Sequence, residues 1–183
     1  TRAEGCFSTA CKPFAWMASP LGTAWAEVWA RPEKSDTAQR NEQSIDEKES
    51  GRWVRALQAG AEAARQMPRT HVIVSGDRES DLYELYDQKQ AAPKNVDLLV
   101  RGQHDRCLME GTRLRARLAA APGEGTLKVQ VPRRQGRPAR EATLELRGLE
   151  VAIKPPAVAL KKSGAPLTLS AVLAREGGVS GEI

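Results

Sequence analysis

The sequence predicts an α/β body followed by an antiparallel β lobe, and three observations carry that prediction. Over residues 1–101, short apolar runs alternate with segments of helical period. One of these runs, His71-Val72-Ile73-Val74-Ser75-Gly76, is rich in β-branched residues and leads straight into an acidic, helix-opening stretch. From residue 102 onward, short alternating runs are separated by glycine, proline and basic clusters. The expected division is 1–101 for the α/β body and 102–183 for a basic, β-rich subdomain.

Each element has its own warrant. Residues 5–18 mix apolar and small side chains without helical period and read as a strand; Ser19-Pro20-Leu21-Gly22 is turn chemistry. Residues 23–30 alternate, with Trp25, Glu27 and Trp29 on one face, so the two strands form a hairpin. The polar stretch 31–43 is a loop. Ser44-Ile45-Asp46-Glu47 has the spacing of a capping box and opens a helix to about residue 66, striped by Trp53, Leu57, Ala61 and Ala64 and stopped by Pro68. Residues 71–76 and 96–101 read as strands buried on both faces, with a helix over 79–90 between them. A further helix is expected over 110–121, then strands at 126–131, 142–147, 149–154 and 167–174.

Charge is unevenly spread. Residues 1–100 hold 13 Lys/Arg against 15 Asp/Glu, whereas residues 101–183 hold 15 against 8. A basic lobe on a slightly acidic body attracts polyanions, chiefly nucleic acid, by releasing counterions from phosphates. Arg133, Arg134, Arg137 and Arg140 cluster between two expected strands and are the phosphate candidates. A solvated basic loop is the plainer alternative. Three cysteines, Cys6, Cys11 and Cys107, form no Cys-x-x-Cys pair, and with two histidines the chain offers no zinc spacing. No run of about 18 apolar residues exists to span a membrane, and no apolar stretch follows Thr1-Arg2-Ala3-Glu4 as a signal peptide needs.

Asp77 draws attention by position. It follows an apolar strand and precedes a helix, and ligands of open α/β sheets sit at the carboxyl ends of strands. A carboxylate there suits a hard cation such as Mg²⁺, and Gly76 would leave room for close approach. The plainer reading is a helix cap. Gly76-Asp77-Arg78-Glu79-Ser80-Asp81 also fits the late metal motif of haloacid-dehalogenase-like phosphatases. That family's nucleophile sits in an Asp-x-Asp motif, which occurs nowhere in this chain.

A wider resemblance covers nearly the whole chain. Trp29-Ala30-Arg31-Pro32, then Ile45-Asp46-Glu47-Lys48-Glu49-Ser50-Gly51-Arg52-Trp53, then Asp77-Arg78-Glu79-Ser80-Asp81-Leu82-Tyr83 resemble the IS-four insertion-sequence family of bacterial DDE transposases, in that family's order. The match continues through Leu98-Leu99-Val100-Arg101 and the basic run into Leu169-Ser170-Ala171-Val172-Leu173-Ala174. The resemblance implies an RNase H-like core with an inserted antiparallel β subdomain. It implies metal-dependent DNA cleavage and strand transfer with two Mg²⁺ or Mn²⁺ ions. Asp77 would be the second of three catalytic, metal-binding carboxylates and Arg101 a DNA-contacting residue. The expected partners are transposon-end and target duplex DNA, bound by a dimer, and the expected compartment is the bacterial cytoplasm, at the nucleoid.

The sequence departs from the family at two places. The family's first aspartate belongs on a strand ahead of residue 5, and its glutamate on a Tyr-x-x-Arg-x-x-x-Glu helix; neither pattern occurs in these 183 residues. Glu79 reads as helix-terminus charge, Asp81 as a surface or outer-ring residue and Glu49 as part of the helix opening. A truncated, non-catalytic DNA-binding remnant is therefore the alternative to an active transposase fragment. In an RNase H-like sheet the family's first strand is central. Without it, the 5–18 and 71–76 strands would each present an open edge, and open apolar edges invite association. The isolated polypeptide is accordingly expected to be marginally stable or to self-associate. Sedimentation as a monomer with one sharp unfolding transition would refute this.

Overall fold

The computed structural model describes residues 6–11, 23, 25–30, 50–157 and 164–177, and its sheets and helices form a mixed α/β arrangement. It comprises β1 (Cys6–Cys11), β2 (Trp25–Ala30), α1 (Gly51–Gln66), β3 (Val72–Gly76), a 3-10 turn (Arg78–Ser80), α2 (Tyr83–Gln90), β4 (Val96–Val100), α3 (Leu114–Ala120), β5 (Gly125–Val131), β6 (Arg140–Ile153) and β7 (Leu167–Glu176). Contacts divide the chain between His104 and Asp105 into two compact units, with the sequence expectation placing the boundary after Arg101.

In the first unit, α1 forms because Val54, Leu57, Ala61 and Ala64 recur at spacings of three and four and put one apolar stripe along the helix. That stripe is buried with Leu85 of α2 and Val96 of β4; Trp53, Val72, Val74, Leu82, Leu98 and Val100 pack around it. Burying a leucine such as Leu57 contributes about 1.5–3 kcal/mol. Ser50 stands at the N-cap without a side-chain hydrogen bond, and the expected opening at Ser44 lies outside the described residues. The helix stops at Met67, one residue before Pro68. Its last turn is held by Asn95, whose side-chain amide donates to Ala64 O at 3.1 Å and to Thr70 O at 2.9 Å.

Two strand pairs share this helix. β1 and β2 are antiparallel, with Cys6 opposite Ala30, so the hairpin expected from the alternation is present. β3 and β4 are parallel, with Val72 opposite Val96 and Gly76 opposite Val100, as a strand–helix–strand unit requires. Among the described residues neither β1 nor β3 has a strand on its second edge.

The expectation that β3 and β4 are buried on both faces is incorrect. Burial alternates along each: Val72, Val74, Leu98 and Val100 turn toward α1, while Ile73 and Leu99 are 60 % and 65 % exposed. The helix covers one side of the strands only, and among the described residues nothing covers the other. A second correction concerns 79–90: residues 78–80 form a 3-10 turn, and the α-helix begins only at Tyr83.

In the second unit, β5, β6 and β7 form one antiparallel sheet in that order. The runs 142–147 and 149–154, expected as two strands, lie in the single strand β6. Gly148 pairs with Val172 without breaking the ladder, because both neighbouring residues keep their partners on β7. The core is Leu108, Leu118, Ala121, Val151, Ile153 and Leu167. The helix expected over 110–121 spans only 114–120, and Arg147 caps its end by donating to Ala119 O and to Ala121 O.

One ion pair ties the hairpin to α1. Arg55 donates from Nε and Nη2 to the two carboxylate oxygens of Glu27, at 2.8 and 2.7 Å. The hydrogen bond from Arg55, together with its charge, lowers the Glu27 pKa below the ordinary 4.5. A lowered carboxyl contributes stability that is complete above the unfolded-state value and is lost as the pH falls through the folded-state value. Glu27→Gln should therefore flatten the stability–pH curve below about pH 4.5 while lowering stability at neutral pH by no more than about 1 kcal/mol. Urea titrations at several pH values check this; an unchanged acid limb in the variant would contradict it.

Candidate functional site

The carboxyl end of β3 is built by three short-range effects. Gly76 closes the strand, and a Cβ placed there would lie 2.1 Å from Ser80 Oγ. Only glycine fits because the fully buried Ser80 hydroxyl folds back over it and donates to Asp77 O at 2.6 Å. The room expected beside Gly76 for a metal is thus taken by Ser80. Asp77 follows with extended backbone (φ −79°, ψ −165°) and an exposed side chain. Its Oδ1 accepts from Glu79 N at 3.0 Å, so the carboxylate caps the 3-10 turn while remaining at the surface.

The parallel register brings Arg101 alongside. Gly76 pairs with Val100, and the Arg101 N–H donates to Gly76 O at 3.1 Å, continuing the ladder by one residue. The next residues on the two strands are therefore Asp77 and Arg101, and both are exposed. The register thus sets the Asp77 and Arg101 backbones next to each other at the same end of the parallel pair.

The acidic motif then separates into three environments. Glu79, on the 3-10 turn, receives the Arg52 guanidinium from α1. Arg52 is itself buried, with its guanidinium 5.5 Å from the centre of the Trp53 ring. Asp81 is 3 % exposed. Its Oδ1 accepts from Tyr86 Oη at 2.9 Å, and its Oδ2 accepts from the backbone N–H groups of Gln103 at 2.6 Å and His104 at 2.8 Å. Of the two places expected for Asp81, the surface one is therefore incorrect. The chain leaving β4 passes beside Asp81, and the buried carboxylate supplies the acceptor for its two amides. Nothing local in the sequence marks this, since the partners lie 22 and 23 residues away.

The arginines of the second unit fall into two groups. Arg133, Arg134 and Arg137 are exposed in the β5–β6 connection, and among the described residues no carboxylate pairs with them. Arg140, expected to join them, is held by Glu176, with Nη2 donating to Oε2 at 2.8 Å and Nη1 bonded to Oε1. The Glu176 hydrogen bond raises the Arg140 pKa, and the reciprocal bond lowers that of Glu176. Among the described residues, no group of three or more His, Cys, Asp or Glu side chains is placed to hold a metal ion. No helix described is long and apolar enough to cross a membrane. The Cys107 thiol is free and exposed.

No family model matches this chain. The site thus rests on its own geometry: an outward Asp77 beside Arg101, with Asp81 as an inward structural acceptor. Asp81→Ala should cost about 2–3 kcal/mol, because two backbone amides and a tyrosine hydroxyl lose their acceptor. Asp77→Ala should cost no more than about 1 kcal/mol, the loss of one exposed cap. Urea unfolding followed by tryptophan fluorescence measures both, and equal losses would sink the division of roles.

Proposed function

We propose that this chain is the central part of a DDE-transposase catalytic core of RNase H-like fold, and that it binds duplex DNA without cutting it by itself. The observation that carries the reading is that Asp77 and Arg101, both exposed, follow the last paired residues at the carboxyl ends of the adjacent strands β3 and β4. That is where an RNase H-like enzyme presents a catalytic carboxylate to a phosphodiester, and the residues in question carry the motifs that resemble the IS-four family. An antiparallel pair and a parallel pair packed on one helix, followed by a basic β unit, support the same architecture.

A divalent cation would be held through Asp77. Among the described residues the donor set does not extend further: Glu79 is committed to Arg52 and Asp81 to two amides and a hydroxyl. One carboxylate does not position two ions, so no chemical step follows for this polypeptide alone. What its residues can do is bind. Arg101 and the exposed arginines of the second unit supply cations for phosphate oxygens, with the guanidinium fork matched to two of them.

A metal-dependent phosphatase is disfavoured, because the Asp-x-Asp nucleophile motif that would accompany Gly76–Asp81 occurs nowhere in the sequence. The non-catalytic remnant shares its ancestry with a transposase fragment and differs from it in what the chain does unaided.

The full chain should bind a labelled duplex with affinity that falls steeply and log-linearly with salt, and Arg101→Ala should lower that slope by about one ion. With Mn²⁺ and supercoiled plasmid, no nicking should be detected. Salt-independent binding, or none in dilute buffer, would remove the DNA reading; Mn²⁺-dependent nicking abolished by Asp77→Ala would overturn the non-catalytic part.

A further inference from the structure

Resting on the DNA reading above, we propose that the tip of the β5–β6 hairpin is a minor-groove probe, which inserts the Arg134 and Arg137 guanidinium groups into A·T-rich duplex DNA.

The argument begins with shape. β6 pairs with β5 up to Arg140 opposite Val131, but its pairing with β7 ends at Leu144 opposite Glu176, followed by one bond from Gly177 N to Thr143 O. Among the described residues, the hairpin past Thr143 is therefore a two-stranded ribbon reaching beyond the sheet. Its end is tight. Arg134 N donates to Arg137 O at 3.1 Å and Arg137 N donates to Arg134 O at 2.9 Å, which closes a two-residue turn over Gln135 and Gly136. Gly136 takes φ of 76°, which only a residue without Cβ adopts freely.

Residues directly opposite across such a bridge project to the same side with Cβ atoms about 5 Å apart. Arg134 and Arg137 are thus two like charges held face to face at the end of the ribbon, an arrangement that disfavours folding. Further from the tip two cations of the ribbon are compensated: Lys128 meets Glu141 at 3.1 Å, and Arg140 meets Glu176. At the tip no carboxylate relieves the pair among the described residues. An uncompensated arginine pair on a narrow projection calls for an anionic ligand, and the remainder of the ribbon says which part of DNA that ligand is.

Laying the ribbon lengthwise in the major groove would bring Glu141 and Glu176 between two phosphate walls. Only the last few residues are purely cationic. The minor groove, about 6 Å wide, excludes a two-stranded ribbon but admits arginine side chains from its tip. In A·T-rich DNA that groove is narrower still and more negative, which favours guanidinium insertion. Arginine is preferred to lysine there because guanidinium is less strongly hydrated than ammonium.

The test uses the full chain in fluorescence-anisotropy titrations against A·T-rich and G·C-rich duplexes of equal length, at one salt concentration. The expected result is about tenfold tighter binding to the A·T-rich duplex, with displacement by a minor-groove-binding oligopyrrole amide. The Arg134→Lys/Arg137→Lys variant keeps the charge and the exposed turn. It should retain the salt slope and an unchanged circular dichroism spectrum but lose the A·T preference. Equal affinity for the two duplexes, or a preference that survives in the lysine variant, would overturn the minor-groove assignment while leaving general DNA binding intact. Absence of binding to either duplex would remove both proposals.

Discussion

The first unit depends on the burial of one face of α1. A two-stranded hairpin has too little buried surface to persist in water, and a two-stranded parallel pair has less. Here the parallel pair gains its apolar partner from that helix, through Val54, Leu57, Ala61 and Ala64, and the hairpin lies against the same helix. The Arg55–Glu27 pair fixes the hairpin to that helix, and the Asn95 amide fixes the turn between α1 and β3. Without the α1 stripe there would be no parallel register, and without that register Asp77 and Arg101 would not emerge together.

The acidic motif shows how little spacing says about role. Asp77, Glu79 and Asp81 are two residues apart, yet one is at the surface, one holds a buried arginine and one is buried as an acceptor. A buried carboxylate is costly unless every lone pair is used. Asp81 accepts from at least three donors, two of them backbone amides from the segment that leaves β4. It thereby fixes the course of the chain just after Arg101. A residue in the middle of an apparent metal motif turns out to brace the loop that follows the candidate DNA contact.

In the second unit, compensation of charge separates structural from available cations. Arg147 is spent on the end of α3, and Arg140 on Glu176. The arginines at the hairpin tip have no such partners among the described residues. The net positive charge of residues 101–183 therefore overstates how much of that half is open to a polyanion.

The sequence by itself determined the elements and their order. Periods of two and 3.6 residues record which faces are apolar, so the α1 stripe, the β1–β2 hairpin and the strand leading to Asp77 were all legible. The charge asymmetry was legible too, because it is a matter of counting. Tertiary structure alone decided which apolar strands have one covered face, that Gly148 does not interrupt β6, that Ser80 fills the space beside Gly76, and that Asp81 is buried. It also decided that Arg140 belongs to Glu176, 36 residues away. The physical reason is common to these cases. Local pattern reports the chemistry of a residue's own segment, whereas covering, pairing and hydrogen-bond satisfaction depend on groups from distant segments that meet only once the chain has folded.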